Sequence, residues 1–422
     1  LESIQKKIDE ANKICVEKIM ESHPFLVDIN HAINVIPRME KRMILHSGPP
    51  LARGWDDMIG PVRGAVIGAI IYEGWANSEK EVLDLIKSGE VKFDSTTKHD
   101  AVAPMAGIIS PSMPAYVVKN KTYGNFAYCN INEGLGKALR FGSNDKSVID
   151  RLHWIEKTLM PALKVVLAQG EIDLKELIEG SLHRGDECHN RNKTVSLLFL
   201  AEILSKLVRS DLDRTKVAEV IEFISGNPHF FLNLSIPSSK SSLDAANNVE
   251  YSTVVTGVCT NGTNFGMRVS GIGDQWLTVP SIYAQGKYFK GFKDTDAAPV
   301  MGDSYNSEPA GIGGFAMAAA PAIVSFIGGE PDLGTKTTNE MYKITVTEHK
   351  YYKMANLGYK GTPLGIDIRK VLKTGILPVI NTGMAHKDPG IGQVGAGIIR
   401  VPMELFEKAR TAFENKYGIK LS

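Results

Sequence analysis

Two histidines, two arginines, two carboxylates and a thiol fall within nine residues, His183-Arg184-Gly185-Asp186-Glu187-Cys188-His189-Asn190-Arg191. Side chains of these types can hold an anion, move a proton or coordinate a soft metal. A solvated turn is usually diluted with Ser, Lys and Gly, whereas this cluster sits between two apolar runs of helical pattern, Leu174–Leu182 and Val195–Val208. Functional groups concentrate on loops that a rigid scaffold holds in place. His183, Cys188 and His189 are possible soft ligands, but the chain has no CxxC, HxxxH or HExxH spacing, so neither a metal nor any other cofactor is expected.

Two glycine-rich segments near the other end of the chain offer complementary groups. Asp303, Ser304 and Glu308 precede Gly311-Ile312-Gly313-Gly314 and a long uncharged run. A glycine turn that opens a buried helix presents backbone N–H groups to an anion, here those of Gly313 and Gly314; close backbone packing is the competing explanation. Asn381, Thr382 and His386 lead into a loop in which Gly390, Gly392 and Gly395 spell GxGxxG. The nucleotide-binding reading of that motif fails, because the following Ile398–Pro402 reads as extended chain rather than helix. Around the Asn261-Gly262 turn, Asn261 and Arg268 are further candidates for holding a carboxylate or phosphate. The charged turn Arg53–Asp57 and the segment Ser95–Asp100 read as plain loops. No GxxxxGK[ST] loop, GxSxG elbow or cysteine-nucleophile signature is present.

The elements that must position these groups follow from glycine usage. Residues 257–397 hold 23 of the 40 glycines, while residues 150–225 hold three and a single proline. The middle is therefore expected to be helical and the C-terminal part rich in tight turns. The fold class expected is α+β and multi-domain, two mixed α/β regions with a small all-helical domain between them: 1–142, 143–227 and 228–422. In the first region an amphipathic helix over 1–21 is followed by a buried strand at Arg63–Tyr72, a helix from Ser78 with Glu81 as capping partner, a strand at Tyr116–Val118 and a short helix at Glu133–Leu139. The middle gives four helices. The first is kinked at Pro161, and the second is capped by Asp173 with Glu176. The last region gives a hairpin across Asn261-Gly262, a buried helix near 314–327, helices near 338–355 and over Asp367–Thr374, a strand at Ile376–Ile380 and a final helix with Pro402 at its first position.

Composition narrows the class. A net charge of +1 gives no case for nucleic acid or an acidic membrane as partner. Four cysteines lie far apart at 15, 129, 188 and 259, which fits free thiols in a reducing, cytoplasmic setting. Gly311–Gly329 carries no charge, but its Gly, Ala and Pro321 make it a poor membrane span.

Four groups of segments resemble the uncharacterised-domain family that includes the bacterial YlbE and YahG proteins: Gly107–Pro114 with Asn132–Gly142; Arg184–Asn192; Asn261–Asp274; and Asp303–Pro321 with Asn381–Gly397. They run in order along nearly the whole chain. The resemblance implies genomic company with FdrA-type proteins, which look like acyl-CoA synthetase subunits. For one branch it implies a subunit of oxamate carbamoyltransferase, interconverting oxalurate plus phosphate with oxamate plus carbamoyl phosphate. It thus implies a small anionic substrate, an FdrA-like protein partner and an oligomer. On that reading Arg184 and Arg191 supply charge, His183 or His189 moves a proton, Asp186 and Glu187 orient them, and Asn190 joins the donors. The rival expectations are a non-catalytic subunit that positions the FdrA-type protein, and a stand-alone amide hydrolase. The shared-site model requires residues 183–191 to meet segments 303–314 and 381–397, whereas a large exposed apolar patch without a closed pocket would favour the non-catalytic subunit.

Overall fold

The computed structural model describes residues 2–421. It is a mixed α/β protein with several small sheets. Helix Glu2–Glu21 buries Ile8, Ala11, Cys15 and Ile19, the stripe its periodicity dictates. Its buried Asn12 ties it to distant chain: the side-chain amide donates to the Thr253 hydroxyl at 2.9 Å and to Asp367 at 3.3 Å, and its oxygen accepts the Thr253 N–H at 2.8 Å.

A five-stranded sheet runs in the order Ala101–Val102, Phe126–Asn130, Pro114–Asn120, Pro24–His31, Ile172–Asp173. The last strand comes from the helical middle and forms one edge of the sheet. A four-stranded sheet contains the hairpin Val255–Asn261 and Asn264–Val269. Asn261 accepts the N–H groups of Thr263 and Asn264 there, and Gly262 takes the positive φ of +88° that its turn needs. A three-stranded sheet sets Gln393–Arg400 between Gln285–Tyr288 and Val379–Ala385. Gly395 and Gly397 lie inside that central strand. A Cβ on Gly397 would stand 2.2 Å from the Gln285 carbonyl oxygen, so close strand packing explains these glycines.

Helices Lys146–Trp154, Met160–Leu167, Leu174–Leu182, Lys193–Val208 and Arg214–Gly226 form the middle. Asp173 caps the third of these by accepting the Glu176 N–H. Core packing runs across the boundaries drawn from the sequence. Leu26 and Tyr116, Phe199 and Ile203, and Ile312 and Ala316 all belong to one buried cluster. No helix among the described residues is long and apolar enough to cross a membrane.

Several elements differ from expectation. Residues 63–72 are helix, part of Gly60–Tyr72, and not a strand. The β-branched run is buried on all sides, which erases the periodicity that separates the two. Gly60, Gly64 and Gly68 line one face and let backbone approach: a Cβ at Gly64 would lie 2.3 Å from the Gly142 carbonyl oxygen. Residues 133–139 form no helix, because Gly134 and Gly136 sit at φ +111° and +75°; a single 3₁₀ turn, Leu139–Phe141, follows. The kink expected at Pro161 is a π-helical segment, Ile155–Leu159, just upstream. The uncharged run is two short pieces, Gly313–Ala319 and Ile323–Ile327, separated at Pro321. The helix near 338–355 ends early: Leu333–Met341 is helical, and the β-branched Thr345-Val346-Thr347 opens the strand Thr345–Met354. The strand expected at Ile376–Ile380 starts at Val379 and runs to Ala385. Pro402 caps the last helix, one residue before Met403–Tyr417 begins.

Candidate functional site

The polar loop is built by its own acidic residues. Asp186 accepts the Val195 N–H at 2.8 Å, satisfying a free donor at the start of helix Lys193–Val208, and stands 3.3 Å from Arg191 Nε. Glu187, fully buried, folds the loop back on itself. It accepts the N–H of Arg191 at 2.5 Å and of His189 at 3.2 Å. Gly185 and Cys188 adopt left-handed backbone, φ +96° and +64°, to allow the reversal. The Cys188 thiol lies 2.9 Å from the Ser181 hydroxyl, and burial pushes its pKa far up, so it is no nucleophile.

The loop meets both glycine-rich segments. His189 Nδ1 contacts Glu308 at 2.7 Å, the Asn381 amide donates to Glu187 at 3.2 Å, and the Asn190 amide donates to the Thr382 carbonyl at 3.4 Å. Thr382 in turn shares a 2.7 Å hydrogen bond with Tyr305. The juxtaposition of 183–191 with 303–314 and 381–397 is therefore present.

The glycine turn does seat an anion, and that anion is the protein's own. Gly314 N–H donates to Glu308 Oε1 at 2.9 Å, and Gly313 N–H donates to the Glu187 carbonyl at 2.7 Å. Both donors expected to receive a substrate are thus engaged. A Cβ on Gly313 would lie 2.3 Å from the same Glu308 oxygen, which is why only glycine fits.

Behind the loop the electrostatics are those of a sealed interior. Burial raises the Glu187 pKa to about 7, although the hydrogen bonds from Arg191 and Asn381 and the charge of His189 pull it down. Burial alone would strip His189 of its proton, but the touching Glu308 carboxylate outweighs it and raises that pKa. Both shifts give the same sign. Between about pH 4.5 and 7 the unfolded chain releases the Glu187 proton while the folded chain keeps it, so this group costs stability as pH rises. The stabilisation from His189 is complete below its unfolded pKa and is lost as pH climbs through the folded one. Denaturant melts from about pH 5 to about pH 8 should therefore show wild type losing stability relative to Glu187→Gln. A wild type that gains on the variant over that range refutes the assignment.

The outer side of the loop opens on a cavity of about 400 Å³. Asn190, Arg191, Asn192, Lys193 and His229 form its polar wall, facing Leu135, Pro228, Ile323 and Phe326. His229 donates from Nε2 to the Asn190 carbonyl at 2.8 Å, which leaves Nδ1 to accept from Arg140 at 3.4 Å. Burial and the Arg140 charge lower its pKa to about 3, so the imidazole is neutral. Burial also lowers the pKa of Arg140, to about 10, with Glu133 opposing.

Other expected site residues lie elsewhere. Arg184 is exposed and donates to the Gly180 carbonyl of its own helix at 2.6 Å, capping that helix and facing away from the cluster. His183 is half-buried, edge-on to Tyr359. Arg268 is paired with Asp244 at 2.6 Å. Asn261 donates to the Pro49 carbonyl, and His386 packs on Phe292. Asp303, with Ser304 beside it, accepts from Gly48 N–H, Thr96 hydroxyl and Ala103 N–H in a second buried knot. Lys193, Asn192, His229 and Arg140 escaped the sequence reading. Arg140 lies in the Asn132–Gly142 segment, and Pro228-His229 directly follows the Gly226-Asn227 stop of a helix, so proximity to the loop had no local signature. Among the described residues no group of three or more His, Cys, Asp or Glu is placed to hold a metal ion.

Comparison with known proteins agrees with the resemblance read from the residues. The family described as oxamate carbamoyltransferase subunit AllG matches residues 91–304. The uncharacterized protein YahG of Escherichia coli K12 is 43% identical over 98% of this chain and 87% of its own length. The oxamate carbamoyltransferase subunit AllG of the same organism is 41% identical over 98% of this chain and 99% of its own. A crystal structure of a conserved protein of unknown function from Enterococcus faecalis V583 superposes with a TM-score of 0.95 at 44% identity, covering 98% of this chain and 99% of that one. A 417-residue match at 43% identity, together with the family match over half the chain, shows the family: the chain belongs to the AllG family.

Proposed function

We propose that this chain is a subunit of a carbamoyl-transferring enzyme acting on small anionic amides, of the oxamate carbamoyltransferase kind, working with an FdrA-like partner subunit. The observation that carries the reading is the cavity beside the loop, where Asn190, Arg191 and Lys193 from one stretch of chain meet the neutral His229 from another. In that reaction phosphate oxygen attacks the carbamoyl carbon of oxalurate, the bond to the oxamate nitrogen breaks, and the proton that the hydrogen phosphate brought ends on that nitrogen. Charge gathers on the phosphate and on the carbonyl oxygen, so cationic and N–H donors fixed in place lower the barrier. Arg191 and Lys193 suit the anion, with Asn190 and Asn192 beside them. His189, Glu187 and Glu308 are positioning residues here, since they hold the loop from behind. The identity to a carbamoyltransferase subunit over almost both full lengths supports the same reading.

A second reading, a non-catalytic subunit that positions its partner, draws on the sealing of His189, which is 2% exposed. One experiment separates the two. In the reconstituted set of subunits, with oxamate and carbamoyl phosphate, Arg191→Ala should cut transfer by about tenfold to a hundredfold, the worth of a charged hydrogen bond of ~1.5–3 kcal/mol. Arg184→Ala should stay within about twofold of wild type, since a lone helix-capping contact at the surface is worth little. Equal transfer by wild type and Arg191→Ala, with assembly intact, favours the positioning role and removes the cavity from the chemistry.

A further inference from the structure

A second cavity, about 680 Å³, lies between the first helix and the two last ones. Arg369, Lys370 and Lys373 reach it from helix Ile368–Thr374 and Arg410 from helix Met403–Tyr417, while Leu372 and Leu421 supply an apolar floor. Its one lining carboxylate, Asp367, is already saturated. It takes Arg369 Nη2 at 2.8 Å, the Arg369 N–H at 3.0 Å, the Thr253 hydroxyl at 2.8 Å and the Asn12 amide at 3.3 Å. Asp9 adds a second contact to Arg369 at 2.8 Å, so that guanidinium is neutralised. The nearby Glu414 is held by Lys420 and by the Leu421 N–H. Lys370 gives one donor to the Thr345 carbonyl, and Lys373 and Arg410 enter no ion pair among the described residues. Three cations thus line a concave space beside apolar surface; Arg410 shares the field of Glu414, and among the described residues none of the three enters an ion pair.

Cations that converge from two helices on a cavity, unpaired by any carboxylate among the described residues, suit a multiply charged oxyanion. The apolar floor suits something larger than a bare ion. We propose that this cavity binds a phosphorylated small molecule with a flat or apolar body, the chemistry of a nucleotide, with its phosphates on Lys370, Lys373 and Arg410 and its body on Leu372 and Leu421. None of these residues lines the cavity beside Arg191, so the proposal stands apart from the reading of that site.

Calorimetric titration of the full chain at low salt tests it, with ADP, AMP and inorganic pyrophosphate as probes. ADP should bind saturably and more tightly than AMP or pyrophosphate. The double variant K373E/R410E, whose melting should match wild type because both side chains are exposed, should lose about tenfold or more in ADP affinity. Arg191→Gln should bind ADP as wild type does. Absence of saturable binding, or unchanged binding by K373E/R410E, overturns the site. An effect of Arg191→Gln equal to that of the double variant overturns its separateness, and pyrophosphate binding as tightly as ADP overturns the role given to the apolar floor.

Discussion

Glu308→Ala should lower the unfolding free energy by about 3–5 kcal/mol, the cost of deleting one member of a buried charged pair. The carboxylate is fully buried, and one of its oxygens serves three donors: His189 Nδ1 at 2.7 Å, Gly314 N–H at 2.9 Å and Asn381 N–H at 3.3 Å. Without it burial favours the neutral His189 imidazole, whose Nδ1 loses its partner, and two backbone donors lose their acceptor. Glu308→Gln keeps an oxygen for those donors while removing the charge, so it should fall between. Urea denaturation with both variants measures this. A loss below about 1 kcal/mol for Glu308→Ala would mean that the three segments are joined by other contacts.

Gly313→Ala should cost about 2–5 kcal/mol, combining a left-handed alanine with overpacking. Its φ is +64°, and the added Cβ would lie 2.3 Å from Glu308 Oε1 and 3.0 Å from His189 Cβ. Gly185→Ala is the informative control. That glycine also has positive φ, +96°, yet nothing stands within 4 Å of where a Cβ would go. Its cost should be the backbone term alone, about 1–2 kcal/mol. Equal losses at the two positions would show that conformation, not the approach of Glu308, sets the requirement at Gly313. Under the proposed function Gly313→Ala should also lower transfer more than Gly185→Ala, since it displaces His189 and the loop that carries Arg191.

Much of this site is legible in the sequence because its ingredients are dense. Nine residues of mixed polar chemistry between two apolar helical runs mark the loop, and Glu308 and Asn381 stand out beside glycine-rich turns. Local capping rules also carry through at Ser78, Asp173 and the Asn261-Gly262 turn. What local reading misses is who answers whom. Gly313 and Gly314 read as donors awaiting a substrate, and only the three-dimensional path shows Glu187 and Glu308 filling them. Arg184 and Arg191 are equivalent in one dimension. They differ because Gly185 reverses the chain between them, leaving one at the surface and the other at the cavity. The helix Gly60–Tyr72 is misread as strand for the opposite reason: burial on all sides leaves no polar face to betray its period.

The hydrogen bonds of Asn12 bear on how this molecule is made. They join the first helix to Thr253 and Asp367, partners 241 and 355 residues away. Synthesis makes the amphipathic helix long before Asp367, so its seat is finished hundreds of residues later. Contacts of such long sequence separation close late and slow the search for the native state. Until those residues are made, the apolar stripe of that helix lacks part of its native seat and is open to chaperones or to its neighbours on the polysome. The N-terminal segment is the place to look for a holdase contact, and high-level expression at elevated temperature is the condition under which aggregation should begin there.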